Sequence, residues 1–374
     1  MPKAADMDVR FMRLALRLAR RAHGRTLPNP MVGAVLVKRG TVIGQGWHRK
    51  AGGPHAEIEA LRGAAKNGHS LKGATLYVTL EPCCTHGRTP PCTEAIIAAG
   101  IKRVVVGATD PNPKHAGRGY RLLRHAGIEV NHGVLAEEAT RLNEVFNHCI
   151  IHRTPFVTVK AAMTLDGKIA TASGESKWIT GTQSRAHAMK LREVADAILV
   201  GVNTVLLDDP ALTVRRGAGK GKEGKRRIIL DSLARTPLDA QIINDEFAPL
   251  TTIVVTKSAP KRRVAALSKR VSVLIAPVRK GRPDLRWLLK KLGAENVTSL
   301  LVEGGGEVNA SFLLDGLAQR AAFFYAPKIL GGRDSKRAVG GVGARRLTKA
   351  IQLREVEWRR LGPDLLLTAR VGAA

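Results

Sequence analysis

The chemistry in this chain starts at His55-Ala56-Glu57, Pro82-Cys83-Cys84 and Pro90-Pro91-Cys92. One imidazole and two thiolates hold Zn²⁺ and leave its fourth tetrahedral position for water. Zinc lowers the pKa of such a water until hydroxide exists near neutral pH. His55 and Cys92 both open predicted helices, whose N-termini favour ionised thiolates. Glu57, two residues past the histidine, is placed to face the water and carry its proton to a ring nitrogen and a leaving amine. A structural zinc site is the alternative, with Cys84 or His86 as fourth ligand. Two unrelated buried cysteines are the other.

H-x-E followed by P-C and C is the pattern of zinc-dependent nucleobase deaminases. With Pro28-Asn29-Pro30-Met31-Val32-Gly33 and the run Thr79-Leu80-Glu81-Pro82-Cys83 to Gly87-Arg88-Thr89-Pro90-Pro91-Cys92, the sequence resembles the deaminase half of the bifunctional riboflavin-biosynthesis deaminase/reductase family. Eight residues separate Cys83 from Cys92, where tRNA adenosine deaminases have C-x-x-C. The resemblance implies a cytidine-deaminase-like, three-layer domain with a mixed sheet. It makes His55, Cys83 and Cys92 zinc ligands, Glu57 the proton shuttle and Asn29 a pyrimidine contact. The chain departs from the family in reading Cys84-Thr85 where Ser-His is usual.

The second half carries Val159–Ala170 with Leu165-Asp166-Gly167, Gly174–Thr180 with Lys177-Trp178-Ile179, Gly201–Arg215 with Asp208-Asp209-Pro210, and Leu300–Glu307 with Gly304-Gly305-Gly306. The last reads as a strand entering a glycine turn that opens a helix, where backbone N–H groups can approach phosphate. It is not G-x-G-x-x-G, so it does not indicate a Rossmann domain. In order, the four segments resemble the reductase half of the same family, which implies a dihydrofolate-reductase-like fold and NADPH as hydride donor. By that resemblance Ala162, Trp178, Thr204, Asp208, Ser232 and Gly304–Gly306 contact NADPH. Ser176, Arg192, Leu212, Arg215 and Glu303 contact a phosphoribosyl substrate; Arg192 and Arg215 are suitable phosphate forks. Lys160 lies on a strand beside the site, its role open between substrate contact and buried ion pair. The implied reactions are deamination of 2,5-diamino-6-(phosphoribosylamino)pyrimidinone and NADPH-dependent reduction of ribosyl to ribityl.

The elements that must position these residues follow from periodicity. Phe11, Leu14, Ala15, Leu18 and Ala22 share a helical face. Val32–Val37 and Thr41–Trp47 form a hairpin. Helices are expected at His55–Asn67, Cys92–Ala99, Gly119–Ala126 and from Ala136 to Cys149, with strands at Ala74–Thr79, Arg103–Ala108 and Ile128–His132. Pro155 ends the helical run, giving domains 1–150 (deaminase) and 151–374 (reductase). Beyond it, strands are expected near 156–162, 196–201, 227–231, 251–255, 271–275, 298–302, 320–326 and 364–370, with helices centred near 188, 264, 287 and 311. The alternation is that of a layered α/β protein.

Composition limits what else the chain can be. Hydrophobic residues are 44% and charged residues 25%, so it is neither disordered nor a membrane protein. The longest stretch free of Asp, Glu, Lys and Arg, Thr26–Val37, is 12 residues, short of the roughly 18 expected of a spanning helix. The N-terminus lacks the apolar run of a secretory signal, and of four cysteines three cluster beside histidines, so metal binding in a cytoplasmic protein is expected. Aromatics are only 4%, which argues against stacking platforms for single strands. Lys and Arg outnumber Asp and Glu 61 to 31, a formal charge of +30 that favours anionic partners. Arg215–Arg227 holds seven of the cations and is expected to be an exposed loop. The expected partner is a phosphorylated pyrimidine small molecule, with no nucleic acid and no membrane, for a homo-oligomer. Two rival readings are a nucleic-acid deaminase with a basic RNA-binding half and a non-catalytic zinc protein.

Overall fold

In the computed structural model, which describes residues 4–86, 90–215 and 222–372, the chain forms two units, Met1–Arg153 and Thr154–Ala374. Gly87, Arg88 and Thr89 of the first motif and 216–221 of the basic stretch, Lys220 included, lie outside the described residues.

The first unit runs α1 (Ala4–Arg20), β1 (Gly33–Lys38), β2 (Thr41–Trp47), α2 (Ala56–Lys66), β3 (Thr75–Leu80), α3 (Cys92–Ala98), β4 (Arg103–Ala108), α4 (Arg118–His125), β5 (Glu129–His132), α5 (Ala136–Leu142) and α6 (Glu144–His152). Its sheet has the order β2-β1-β3-β4-β5. The hairpin and the β1–β3 pair are antiparallel, whereas β3, β4 and β5 are parallel. Two glycines show how the helices sandwich it. A Cβ on Gly33 would lie 2.0 Å from the Ala15 carbonyl oxygen of α1, and one on Gly46 would lie 2.4 Å from that of Ala56 in α2. Gly46 pairs with Ala34, the neighbour of Gly33, so the two point to opposite faces. Three layers result. Asp8 ties α1 to the sheet, accepting from Tyr77 of β3 at 2.9 Å and bidentately from Arg103 of β4 at 2.8 Å.

The helix expected from Ala136 to Cys149 is broken at Asn143. Its buried side chain exchanges two hydrogen bonds with the Met31 backbone, at 2.8 and 2.9 Å, which ties it to the Pro28–Met31 segment.

The second unit runs β6 (Phe156–Thr164), β7 (Lys168–Ala170), α7 (Thr182–Val194), β8 (Ala197–Gly201), α8 (Val202–Asp208), β9 (Val214–Arg215), β10 (Lys222–Glu223), β11 (Arg226–Leu230), β12 (Thr251–Val255), α9 (Lys261–Ser268), β13 (Ser272–Ile275), β14 (Val278–Arg279), β15 (Arg282–Pro283), α10 (Leu285–Ala294), β16 (Ser299–Val302), α11 (Gly306–Leu314), β17 (Arg320–Ala326), β18 (Lys336–Arg337), β19 (Gln352–Leu361) and β20 (Asp364–Gly372). Its large sheet has the order β13-β12-β11-β8-β16-β6-β17-β20-β19. The seven strands from β13 to β17 are parallel, and β20 and β19 close the edge antiparallel. The chain leaves β6, builds outward from β8 to β13, and returns to insert β16 between β8 and β6. Such a reversal opens a crevice at the carboxyl ends of the strands.

The basic stretch is not a solvated loop to its end. Arg226 and Arg227 open β11, and Arg227 has no exposed surface. Its guanidinium pairs with Asp245 at 2.6 and 2.8 Å and donates to Thr251, Ala211 and Ile242. Arg226 pairs with Glu295, and Lys225 donates to the Glu193 carbonyl. Three of the seven cations are therefore anchored, and Arg227 is a core residue.

Candidate active sites

In the first unit, His55 is the residue before α2, Cys83 lies three residues past Leu80 at the end of β3, and Cys92 is the first residue of α3. These three turns meet at one end of the sheet. His55 Nδ1 lies 3.2 Å from Cys92 Sγ and 3.5 Å from Cys83 Sγ, and the three ligand atoms fall within 4.8 Å of one another. A tetrahedral zinc with Zn–S near 2.3 Å and Zn–N near 2.0 Å needs donors about 3.5–3.8 Å apart, so the set fits the ion. The donor chemistry agrees. The Cys92 thiol beside Cys83, helped by His55, draws the Cys83 thiol down to about 4, whereas the same pairing and burial push Cys92 up. The pair retains one proton between them until a cation makes the second thiolate affordable.

Cys84 stands outside this set. Its sulfur is 3.5 Å from His115 Nδ1, and among the described residues no fourth donor joins the triad. The three-ligand arrangement leaves a coordination position open, as catalytic zinc sites do. Glu57, in the first turn of α2, is buried. Burial, and then the negative charge of Cys83, push its carboxyl up to about 7.

Asn29 enters through a residue whose role its sequence context does not disclose. Its Nδ2 lies 3.1 Å from His48 Nε2, and His48 Nδ1 lies 3.0 Å from the Pro54 carbonyl. The carbonyl requires a proton on Nδ1, so Nε2 accepts from the amide. Burial lowers the His48 pKa and keeps the ring neutral. Its ring sits edge-on to His55, 5.3 Å between centroids. Glu81 is buried below, accepting the backbone N–H groups of Asp110, Gly117 and Gly119. It shapes the loop beside Cys83.

In the second unit, a cavity of about 1100 Å³ opens at the carboxyl ends of the parallel strands. Of the residues assigned from sequence, Ser176, Thr204, Asp208, Ser232, Glu303 and Gly304–Gly306 line it. Asp208 accepts from the Ser176 hydroxyl at 3.0 Å. The glycines divide the work. A Cβ on Gly304 would meet Val308 at 2.5 Å and one on Gly306 would meet the Arg337 carbonyl at 2.2 Å, whereas Gly305 faces open space. Two are required by packing, and the middle one presents bare backbone to the cavity. An extended dinucleotide with its phosphates over this turn fits the space.

Ala162, Trp178, Arg192, Leu212 and Arg215 do not line that cavity. Ala162 packs from β6 toward Phe324 and Leu366. Trp178 is 64% exposed, with Arg185 4.8 Å above its ring. Leu212 is buried in the apolar core beneath α8, so only its backbone can meet a ligand. Arg215 is exposed at the end of β9. Arg192 is not a free phosphate fork: it pairs bidentately with Glu303 at 2.8 and 2.7 Å and donates to the Thr213 carbonyl. Burial raises the Glu303 carboxyl, but Arg192 and Lys160 outweigh it and hold it down at about 2. Lys160 thus belongs to this charge cluster, with its ammonium 5.9 Å from the Phe324 ring centre.

Residues 5–108 match the cytidine and deoxycytidylate deaminase zinc-binding region, and residues 155–367 match the RibD C-terminal domain. The riboflavin biosynthesis protein RibD of Aquifex aeolicus is 49% identical over 362 residues, covering 97% of this chain and 98% of that protein. This chain belongs to the RibD family. The RibD of Actinobacillus pleuropneumoniae is 45% identical over 96% of this chain and 94% of its own. A Thermotoga maritima structure described as a diaminohydroxyphosphoribosylaminopyrimidine deaminase/5-amino-6-(5-phosphoribosylamino)uracil reductase superposes with a TM-score of 0.83 and 37% identity, covering 99% of this chain and all of that one. As a RibD family member the chain is a bifunctional enzyme of riboflavin biosynthesis, a zinc-dependent deaminase and an NADPH-dependent reductase on two α/β units. Among the described residues no helix is long and apolar enough to cross a membrane.

Proposed function

We propose that the first unit removes the 2-amino group of 2,5-diamino-6-(5-phosphoribosylamino)pyrimidin-4-one as ammonia. The second then reduces the ribosyl group of 5-amino-6-(5-phosphoribosylamino)uracil to ribityl. The observation that carries the reading is buried Glu57 beside the three-donor cluster of His55, Cys83 and Cys92. Held by those three residues, zinc supplies a water activated for attack on the ring carbon that bears the amine. Glu57 takes the proton that this water loses and passes protons in turn to the ring nitrogen and the departing amine. Asn29, oriented by His48, uses its free carbonyl oxygen to orient the pyrimidine.

In the reductase, NADPH supplies the hydride that reaches the ribosyl carbon. Gly304–Gly306, Thr204 and Ser232 hold the cofactor, with Ala162, Trp178 and Asp208 toward its nicotinamide end. Ser176, Glu303 and the Leu212 backbone orient the sugar, and Arg215 takes the phosphate. Arg192 acts through Glu303 as a positioning residue. Domains 1–150 and 151–374 divide the two activities. Thiols kept reduced for metal binding suit a cytoplasmic enzyme, and a homo-oligomer would cover exposed side chains such as Leu347 and Trp358.

The test is incubation with the diaminopyrimidine substrate, with and without NADPH, following ammonia and NADPH absorbance. Ammonia is expected in both mixtures, and NADPH oxidation only after it. Oxidation without prior ammonia release overturns the assigned order.

A further inference from the structure

The cofactor cavity holds a cation to which no role has been given. Resting on the reading that NADPH lies along Gly304–Gly306, Thr204 and Ser232, we infer that Arg235 receives the 2′-phosphate of NADPH and makes the reductase choose NADPH over NADH.

Strand order supplies the ruler. β16, β8 and β11 are consecutive parallel neighbours. Their carboxyl ends carry the glycine turn, Thr204 and Ser232 in that order. Neighbouring strands are about 4.8 Å apart, so the row from β16 to β11 spans about 10 Å. A dinucleotide with its pyrophosphate on the glycine turn and its nicotinamide toward β6 therefore has its adenosine over the β11 end. Arg235 lines the cavity there, three residues past Ser232.

The loop is built to present it. Asp231 is fully buried and turned inward, accepting the N–H and hydroxyl of Thr236 at 2.7 Å each. Arg263 donates to the carbonyls of Ala234 and Thr236 on either side of Arg235. Arg235 itself is exposed, and its guanidinium donates to the Asn203 side chain at 2.8 Å. Among the described residues no carboxylate pairs with it. Of the other cations that line the cavity, Arg282 pairs with Glu307, Lys280 pairs with Asp315, Arg286 donates to the Asp315 carbonyl, and Lys336 lies on β18, which pairs with β7 rather than with the β11 end. Arg279 lies on the β14–β15 hairpin, beyond the far edge strand in chain order.

Chemistry decides what such a site reads. A reductase for NADH needs a free carboxylate to accept the ribose 2′-hydroxyl, whereas an arginine at the corresponding strand end accommodates a 2′-phosphate. Here the acid at the strand end, Asp231, has no exposed surface, with one oxygen bonded to Thr236 and the other buried without a partner, whereas the Arg235 cation is exposed with four N–H donors uncommitted to Asn203.

The test measures binding of NADPH and of NADH to the full-length protein by titration calorimetry. Arg235→Ala is expected to weaken NADPH by about 10- to 100-fold and NADH by no more than about threefold, because only the phosphate contact is lost. Arg235→Lys is expected to lie between, keeping the charge without the planar fork. Adenosine 2′,5′-diphosphate should displace NADPH from the wild type and lose that ability against Arg235→Ala. An unchanged NADPH-to-NADH ratio in a folded Arg235→Ala overturns the inference, as does a ratio that collapses in Arg279→Ala instead. Failure of the wild type to bind NADPH at all would overturn the cofactor placement beneath it.

Discussion

Glu57 and Cys84 separate the catalytic reading of the metal centre from a structural one. Glu57→Gln keeps the size of the side chain and leaves His55, Cys83 and Cys92 intact, so zinc should stay at one equivalent while ammonia release falls by about 10²- to 10⁴-fold. Loss of zinc would instead make Glu57 a ligand. Cys84→Ser should retain both zinc and activity, because its sulfur faces His115 rather than the triad, whereas Cys83→Ser should lose the metal, a hydroxyl being a poor substitute for a thiolate. The triad was readable because each ligand sits where one element hands over to the next, and His-x-Glu with two prolyl-cysteines marks those points without any tertiary information. His48 was not readable. A lone histidine at the end of a strand carries no signal until the fold brings Asn29 and Pro54 to its two nitrogens. The Arg192–Glu303 pair was equally hidden, since its partners are 111 residues apart and either alone looks like a ligand contact.

Among the elements, the β16–α11 turn makes the sharpest distinction between folding and binding. Gly306→Ala forces a methyl to within 2.2 Å of the Arg337 carbonyl oxygen, which backbone must move to relieve. A loss of about 1–3 kcal/mol is expected from overpacking, read as a lower Tm. Gly305→Ala meets nothing and has an extended backbone that alanine adopts freely. Its Tm should hold while its NADPH affinity falls, since the methyl occupies the space that a phosphate approaches. Equal thermal losses in both variants would mean that the turn is structural throughout. The same contrast explains which elements could be read from sequence. Buried strands such as Ala197–Gly201 announce themselves as apolar runs. Strand β19 has ten residues of which eight are exposed, so it has neither a run nor an alternation to read, and it was missed. Helix α8 begins directly at the end of β8, and its apolar residues merge with those of the strand. The single helix expected before Pro155 is two, parted at Asn143, whose side chain bonds the Met31 backbone 112 residues away and so leaves no local signal.

Over the whole molecule, charge acts on stability and on capture in opposite directions. The formal charge of +30 repels itself and attracts phosphorylated ligands, and salt screens both. Raising ionic strength from about 0.01 M to about 0.15 M shortens the screening length from ~30 Å to ~8 Å. The KM for the phosphorylated substrates should rise in both half-reactions with kcat little changed, while Tm at neutral pH increases. Acid makes the repulsion worse and removes specific support. Burial raises the Asp8 carboxyl, but Arg103 and Tyr77 outweigh it and hold its pKa below the ordinary value; Glu303 is held down at about 2 by Arg192 and Lys160. A carboxyl with a lowered folded pKa stabilises the fold above its unfolded pKa, near 4, and that support disappears as pH falls through the folded value. Tm should therefore decline below about pH 5, and salt should recover the part due to repulsion but not the part due to Asp8 and Glu303. Thermal melts across pH at two ionic strengths measure both contributions. A Tm that drops with salt at neutral pH would mean that local ion pairs such as Asp8–Arg103 outweigh the net repulsion, and the excess of cations would then be a neutral feature of the surface.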